Sequence, residues 1–206
     1  MSLIALNPIE SPRLYVRPVS EPDLPALLEV NGDEEVTRFL PYAAWKSMSD
    51  AQAWFKRMTD LEARGSSLQF VIAVKQTGIA IGTCLLFQFE EANTQAEIGY
   101  VLGRAYWGHD YMREALTALI DCAFNRMSLR RLEAAVESQN APSTRLLHGL
   151  GFTREGVLRE RWITKRGPTD AEIFGLLRHE WGGQPANPNR TPSSSASIPN
   201  RFDSST

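Results

Sequence analysis

Two stretches of this chain hold the residues whose spacing suits chemistry. The first runs from Ala96 to Tyr111 and reads Ala-Glu-Ile-Gly-Tyr-Val-Leu-Gly-Arg-Ala-Tyr-Trp-Gly-His-Asp-Tyr. A β-rich segment leads through a loop containing Gly103 and Gly108 into a long amphipathic helix. Unpaired backbone N–H groups and the positive end of a helix dipole at such a junction can receive a phosphate, although a tight turn would leave the same trace. Glu97 is the one carboxylate in an otherwise apolar or small strand, either facing a cleft or pairing a cation at a sheet edge. The second stretch, Glu137 to Phe152, places Asn140 and Ser143 one turn apart at the start of a short helix that carries Pro142. Both can point into one cleft, and Asn140 can equally serve as a plain N-cap. His148 and His179 have no partners at metal-ligand spacing, and neither Ser143 nor Cys84 nor Cys122 sits in a nucleophile elbow. The pattern therefore supports neither a metal site nor a covalent intermediate.

The elements that must position these groups follow from periodicity. Arg13 to Arg17 alternates as a first strand, and Ser20-x-x-Asp23 resembles a capping box with Pro22 in the first turn. Ser49 to Gln52 opens a second helix, with Trp54, Met58 and Leu61 on its apolar face and Gly65 at its end. Leu68–Lys75 and Ile79–Phe89 flank the hairpin signal Thr77-Gly78, and Ala96–Leu102 forms the next strand. Tyr111 to Met127 keeps a 3.6-residue period over four turns. Strand 131–137, helix 142–150 and closing strands near 156–165 and 171–177 complete the order βααβββαβαββ. That order predicts an α/β (α+β) domain, a mixed sheet of about seven strands with about four helices packed on it.

Composition bounds the rest. With 206 residues, 43% hydrophobic, the chain can build one full-sized core, expected over residues 8–181. Residues 182–206 hold four of the 12 prolines, six serines and three asparagines, and they predict a disordered tail. A net charge of -2 disfavours nucleic acid and anionic membranes as partners, and no apolar run approaches 18 residues. Two separated cysteines and the absence of an export signal at the N-terminus point to a cytoplasmic protein.

The two blocks together resemble the GNAT superfamily of acyl-CoA-dependent N-acyltransferases, most closely its ribosomal-protein N-terminal (Rim-type) acetyltransferases. The residues that carry the resemblance are Arg13-Leu-x-Val-Arg-Pro18, Asp33-x-Glu-Val36, Ile81-Gly-Thr83, Glu97-Ile-Gly-Tyr100, Tyr106-Trp-Gly108, Glu114-Ala115, Asn140-x-x-Ser143, Leu150-Gly-Phe152, Glu155-Gly156 and Arg178-x-x-Trp181. It implies a GNAT-like, mostly antiparallel sheet and acetyl-CoA as co-substrate, with no metal. It further implies that Ile98, Gly99, Tyr100 and Val101 lie along the pantetheine arm, and that Arg104, Trp107, Gly108, His109, Asp110, Tyr111 and Met112 wrap the pyrophosphate. Gly99 would be side-chain-free so that another chain or a ligand can come close. Glu97 would be the general base, Asn140 a pantetheine ligand, and Ser143 the acid for the departing thiolate and a further cofactor contact. Many relatives use a tyrosine as that acid, and no tyrosine stands at the corresponding place here.

The family loop usually reads Trp-Gly-(Lys/Arg)-Gly-Tyr, whereas this chain has Trp107-Gly108-His109-Asp110-Tyr111. Asp110 is therefore expected to cap the long helix and compete with a phosphate. Phe39, Tyr42 and Trp45 fall where relatives build an acceptor cleft, and Trp162 lies on a closing strand, with at most one or two of these aromatics expected to touch substrate. An N-terminal α-amine is the expected acceptor: with a reference pKa of about 7.8 it is roughly 10–15% neutral at pH 7, against about 0.04% for a lysine. A small amine, such as a polyamine, an amino acid or an antibiotic, is the alternative, as is a non-catalytic CoA-binding module. Monomer and homodimer are both left open.

Overall fold

In the computed structural model, which describes residues 8–164 and 166–182, a single sheet runs through the molecule. Its strands are β1 (Ile9–Glu10), β2 (Leu14–Pro18), β3 (Ser67–Val74), β4 (Ala80–Glu90), β5 (Gln95–Leu102), β6 (Arg131–Glu137), β7 (Thr153–Thr164) and β8 (Gly167–Leu177). They lie in the order β1-β2-β3-β4-β5-β6-β8-β7, and every neighbouring pair is antiparallel except β5–β6. The helices are α1 (Leu24–Gly32), α2 (Met48–Ala63), α3 (Tyr111–Asp121) and α4 (Ala141–Gly149). The expected mixed sheet and four helices are present, with eight strands instead of about seven. The added strand is β1, two residues long and so too short to leave a periodic trace, held by the burial of Ile9 and its pairing with Val16.

Local chemistry sets the helix starts. Asp23 accepts from the Ser20 backbone N–H at 2.9 Å and from Arg17 at 2.8 and 2.7 Å, so the expected box caps a first turn that is tighter than α-helical. The second helix begins earlier than Ser49 predicts. Asp50 accepts from the backbone N–H of Ser47 at 3.0 Å and of Lys46 at 2.7 Å, which makes Ser47 the cap and Met48 the first helical residue. The 111–127 helix is α-helical only to Asp121, and Cys122–Arg126 continues it as a wider π turn that places Cys122, Ala123 and Phe124 successively in the core.

Helices cover the two faces unequally. On one face α1 and α2 bury Leu24, Leu27, Trp54 and Met58 against Val71 and Ala80. On the other, Leu116, Leu119, Ile120 and Phe124, together with Leu147 of α4, pack against Phe70, Ile72, Leu86, Ile98, Leu132 and Phe174. Each such side chain contributes about 1.5–3 kcal/mol of burial. β3, covered on both faces, is apolar almost without alternation, as a doubly buried strand must be.

Candidate active site

The site arises where the sheet comes apart. β5 and β6 are in register only from Gln95 to Glu97 against Arg131 to Glu133. Beyond Glu97, β5 continues along β4 as far as Leu102, while β6 follows β8, so the β6-facing edge of β5 from Ile98 to Leu102 has no strand partner. Unpaired strand N–H and C=O groups beside a cleft can bond an extended amide-bearing ligand.

Successive residues of β5 point to opposite faces. Glu97 faces the α1/α2 side with Gly99 and Val101, while Ile98 and Tyr100 face α3 and α4. Glu97 is half-buried, and among the described residues no ion pair reaches it. Burial raises its pKa, the Glu133 carboxylate paired beside it across the parallel register raises it further, and the Ala135 N–H and the positive charge of Arg161 partly offset both. A carboxylate so placed can take a proton from a neutral-pH amine more readily than an ordinary glutamate can.

On the opposite face the hydroxyl of Tyr100 lies 2.5 Å from Ser143 Oγ. Burial pushes the Tyr100 phenol up to about 12, so it stays protonated near neutral pH, with the serine hydrogen bond acting the other way. A tyrosine therefore does reach the candidate acid, from β5 and across 43 residues of sequence, where a reading of α4 alone finds none. Asn140 is the N-cap of α4, its Oδ1 accepting from the Ser143 N–H at 3.3 Å, so the capping reading holds while its amide N–H groups remain available to a ligand.

The loop after β5 reaches the start of α3. Trp107 Nε1 donates to the Leu102 carbonyl at 2.8 Å, and His109 Nδ1 lies 2.8 Å from the Trp107 carbonyl. Gly108 has φ +76°, and a Cβ there would meet nothing within 4 Å, so glycine is needed for backbone shape. Asp110 does not cap α3. It occupies the N-cap position in the left-handed region, φ +59°, which swings its carboxylate outward to 76% exposure, where Arg113 Nε approaches only to 3.4 Å. The first N–H groups of α3, from Tyr111 to Arg113, thus carry no side-chain cap and fit an anionic group. Met112 offers only its backbone, because its side chain is in the core.

One further expectation changes: Arg104 is turned from the loop into an ion pair with Asp33 at 2.8 Å. At Gly99 the close approach is that of a strand neighbour, where a Cβ would lie 2.7 Å from Leu85 Cδ2, the residue opposite it in register. Among the aromatics, Trp45 is buried against Trp54, and Tyr42 donates to Asn31 Oδ1 at 2.9 Å. Phe39 and Trp162 are only part-buried.

The sequence matches the acetyltransferase (GNAT) domain family over residues 13–153. The chain belongs to the GNAT acetyltransferases. It is 37% identical over 171 residues to the uncharacterized N-acetyltransferase p20 of Bacillus licheniformis, a match covering 83% of this chain and 96% of that one. The GNAT fold recurs in the solved structure of RimL, a ribosomal L7/L12 α-N-protein acetyltransferase in complex with coenzyme A, with a TM-score of 0.76, 22% identity and coverage of 83% and 98% of the two chains. It recurs also in spermidine N-acetyltransferase from Vibrio cholerae, in complex with CoA and spermine, with a TM-score of 0.72, 18% identity and coverage of 82% and 97%. This GNAT chain is an acyl-CoA-dependent N-acetyltransferase. Among the described residues no helix is long and apolar enough to cross a membrane.

Proposed function

We propose that residues 8–181 form one domain that moves an acetyl group from acetyl-CoA to a protein N-terminal α-amine by direct attack in a ternary complex. The observation that carries this reading is the division of labour along β5: Glu97 on one face, the Tyr100–Ser143 hydroxyl pair on the other, and the opening between β5 and β6 connecting them. Acceptor and co-substrate then approach from opposite faces without competing for space.

The β5 edge from Ile98 to Val101 and the Asn140 amide hold the pantetheine, and the Trp107–Met112 loop with the α3 N–H groups holds the pyrophosphate. Arg104 serves the phosphates only on leaving Asp33. Acetyl-CoA, when bound, supplies the thioester carbonyl and the thiolate leaving group. Glu97, made more basic by burial and by Glu133, receives the ammonium proton at its carboxylate, directly or through water. Ser143 Oγ carries the proton for the thiolate, and Tyr100, protonated across neutral pH, donates to that oxygen and keeps its hydrogen aimed into the opening. One carboxylate of this strength suits an α-amine, which needs about one pKa unit of help, better than a lysine, which needs more than three.

A small-molecule amine is the second reading, supported by the similar fold of a spermidine acetyltransferase, at a TM-score of 0.72. Acetylation of a panel of free-N-terminus peptides against polyamines, amino acids and aminoglycosides, followed by mass spectrometry, separates the two. Peptide α-amines are expected to give the highest kcat/KM, and turnover confined to small amines would overturn the reading.

A further inference from the structure

The end of β6 carries a carboxylate that acyl transfer leaves unused. Glu137 follows Glu133 by four residues, which places it on the face of Glu97 and roughly 13 Å along the strand. Its side chain is only 3% exposed. It is paired with Arg166 from the β7–β8 turn, whose guanidinium also donates to Gln139 Oε1 at 3.3 Å and stands 5.0 Å over the Phe39 ring. A buried carboxylate, an amide oxygen and an aromatic face thus converge around one positive charge, the partners that cations seek.

Beside them lies a pocket of about 240 Å³ lined by Glu137, Ser138, Gln139, Pro168, Thr169 and Asp170. The lining includes two carboxylate residues, Glu137 and Asp170, of which Glu137 is paired with the guanidinium of Arg166, so the lining is net negative. Asp170 Oδ1 is engaged by the Glu160 N–H at 2.8 Å. Thr169 Oγ1 is buried with no hydrogen-bond partner among the described residues, although buried hydroxyls are nearly always satisfied. Negative charge, amide and carboxylate acceptors and an unpartnered hydroxyl suit a donor-rich cation.

We propose that this pocket receives a second positively charged group of the acceptor, an ammonium or a guanidinium held roughly 10–15 Å from the reacting nitrogen. The proposal rests on Glu97 marking the reacting end. A polyamine supplies such a group at its far end, and a peptide supplies it as a basic side chain at the third or fourth residue.

The test uses two matched pairs of acceptors: a peptide with lysine against norleucine at position three, and a triamine against a monoamine of equal length. At least one pair is expected to show kcat/KM about tenfold or more higher for the member with the additional positive charge. That ratio should fall toward one in Glu137→Gln and in Asp170→Asn. Asp170→Asn keeps the oxygen that accepts from Glu160, so it decides the matter if Glu137→Gln fails to fold. A ratio near one in the wild type, or a ratio unchanged in the folded variants, overturns the subsite. Acetylation of the neutral acceptors without preference does so while leaving the acyl-transfer reading intact. Preference confined to the amine pair, with no peptide acetylated, supports the subsite and overturns the N-terminal reading.

Discussion

β3 and β7 belong to the same sheet and live in opposite surroundings. Ser67 to Ala73 of β3 are all buried, between helices on both faces. In β7 most residues are exposed, Ile163 to 80%, and the register slips between Leu158 and Trp162 where Glu160 adopts φ +50°. The covered half supplies the cohesion of the domain, while the open half with the β5–β6 split holds charged groups that a packed interior would exclude. Residues that weaken folding and residues that carry chemistry should therefore separate cleanly between the halves.

The largest effects test that separation directly. Glu97→Gln is expected to lower kcat/KM by roughly 10²–10⁴-fold, measured with saturating acetyl-CoA. The folded-state pKa of Glu97 is raised, so the stability it contributes is present at low pH and lost as pH rises through that raised value. Chemical denaturation at pH 7 should accordingly find the Glu97→Gln protein as stable as the wild type or more so. Leu86→Ala, in the covered half, is expected to do the reverse: a loss of about 2–5 kcal/mol in denaturation with kcat retained in the folded fraction. A loss of stability in the first variant, or of specific activity in the second, would break the comparison.

Smaller changes sharpen it within the split. Tyr100→Phe removes the hydroxyl that orients Ser143, and kcat should drop about 2- to 10-fold with the KM for acetyl-CoA nearly unchanged, as steady-state kinetics will show. Asp110→Gly relieves a left-handed backbone and removes a negative charge beside the α3 N–H groups; the KM for acetyl-CoA should fall about 2- to 5-fold. Glu133→Gln leaves Arg131 its bidentate pair with Glu155, at 2.8 and 2.5 Å, while removing one cause of the raised Glu97 pKa. The acidic limb of the kcat/KM profile should move to lower pH, and a limb that stays in place would separate Glu133 from the base.

The amino-acid sequence alone determined the order of elements apart from β1, the strand-loop-helix junction at 96–111 and the place of Asn140 and Ser143. All of these are written in local periodicity and in residues a few positions apart. The glycine at 108 and the capping boxes were legible for the same reason, apart from a start at Ser47 instead of Ser49, where the Asp50 carboxylate decides which N–H groups it accepts from. Only the tertiary structure decided that β6 follows β8 away from β5, since the length over which two strands pair depends on the packing of both. It likewise set Tyr100 against Ser143, Glu133 beside Glu97, and Arg166 between Glu137 and Phe39. Those partners are remote in sequence, and their approach is fixed by register and by the cost of burying a charge unpaired, which no local pattern encodes. The backbone sign at Asp110 belongs with them: its residue type favours a cap, and the loop geometry turned the carboxylate outward.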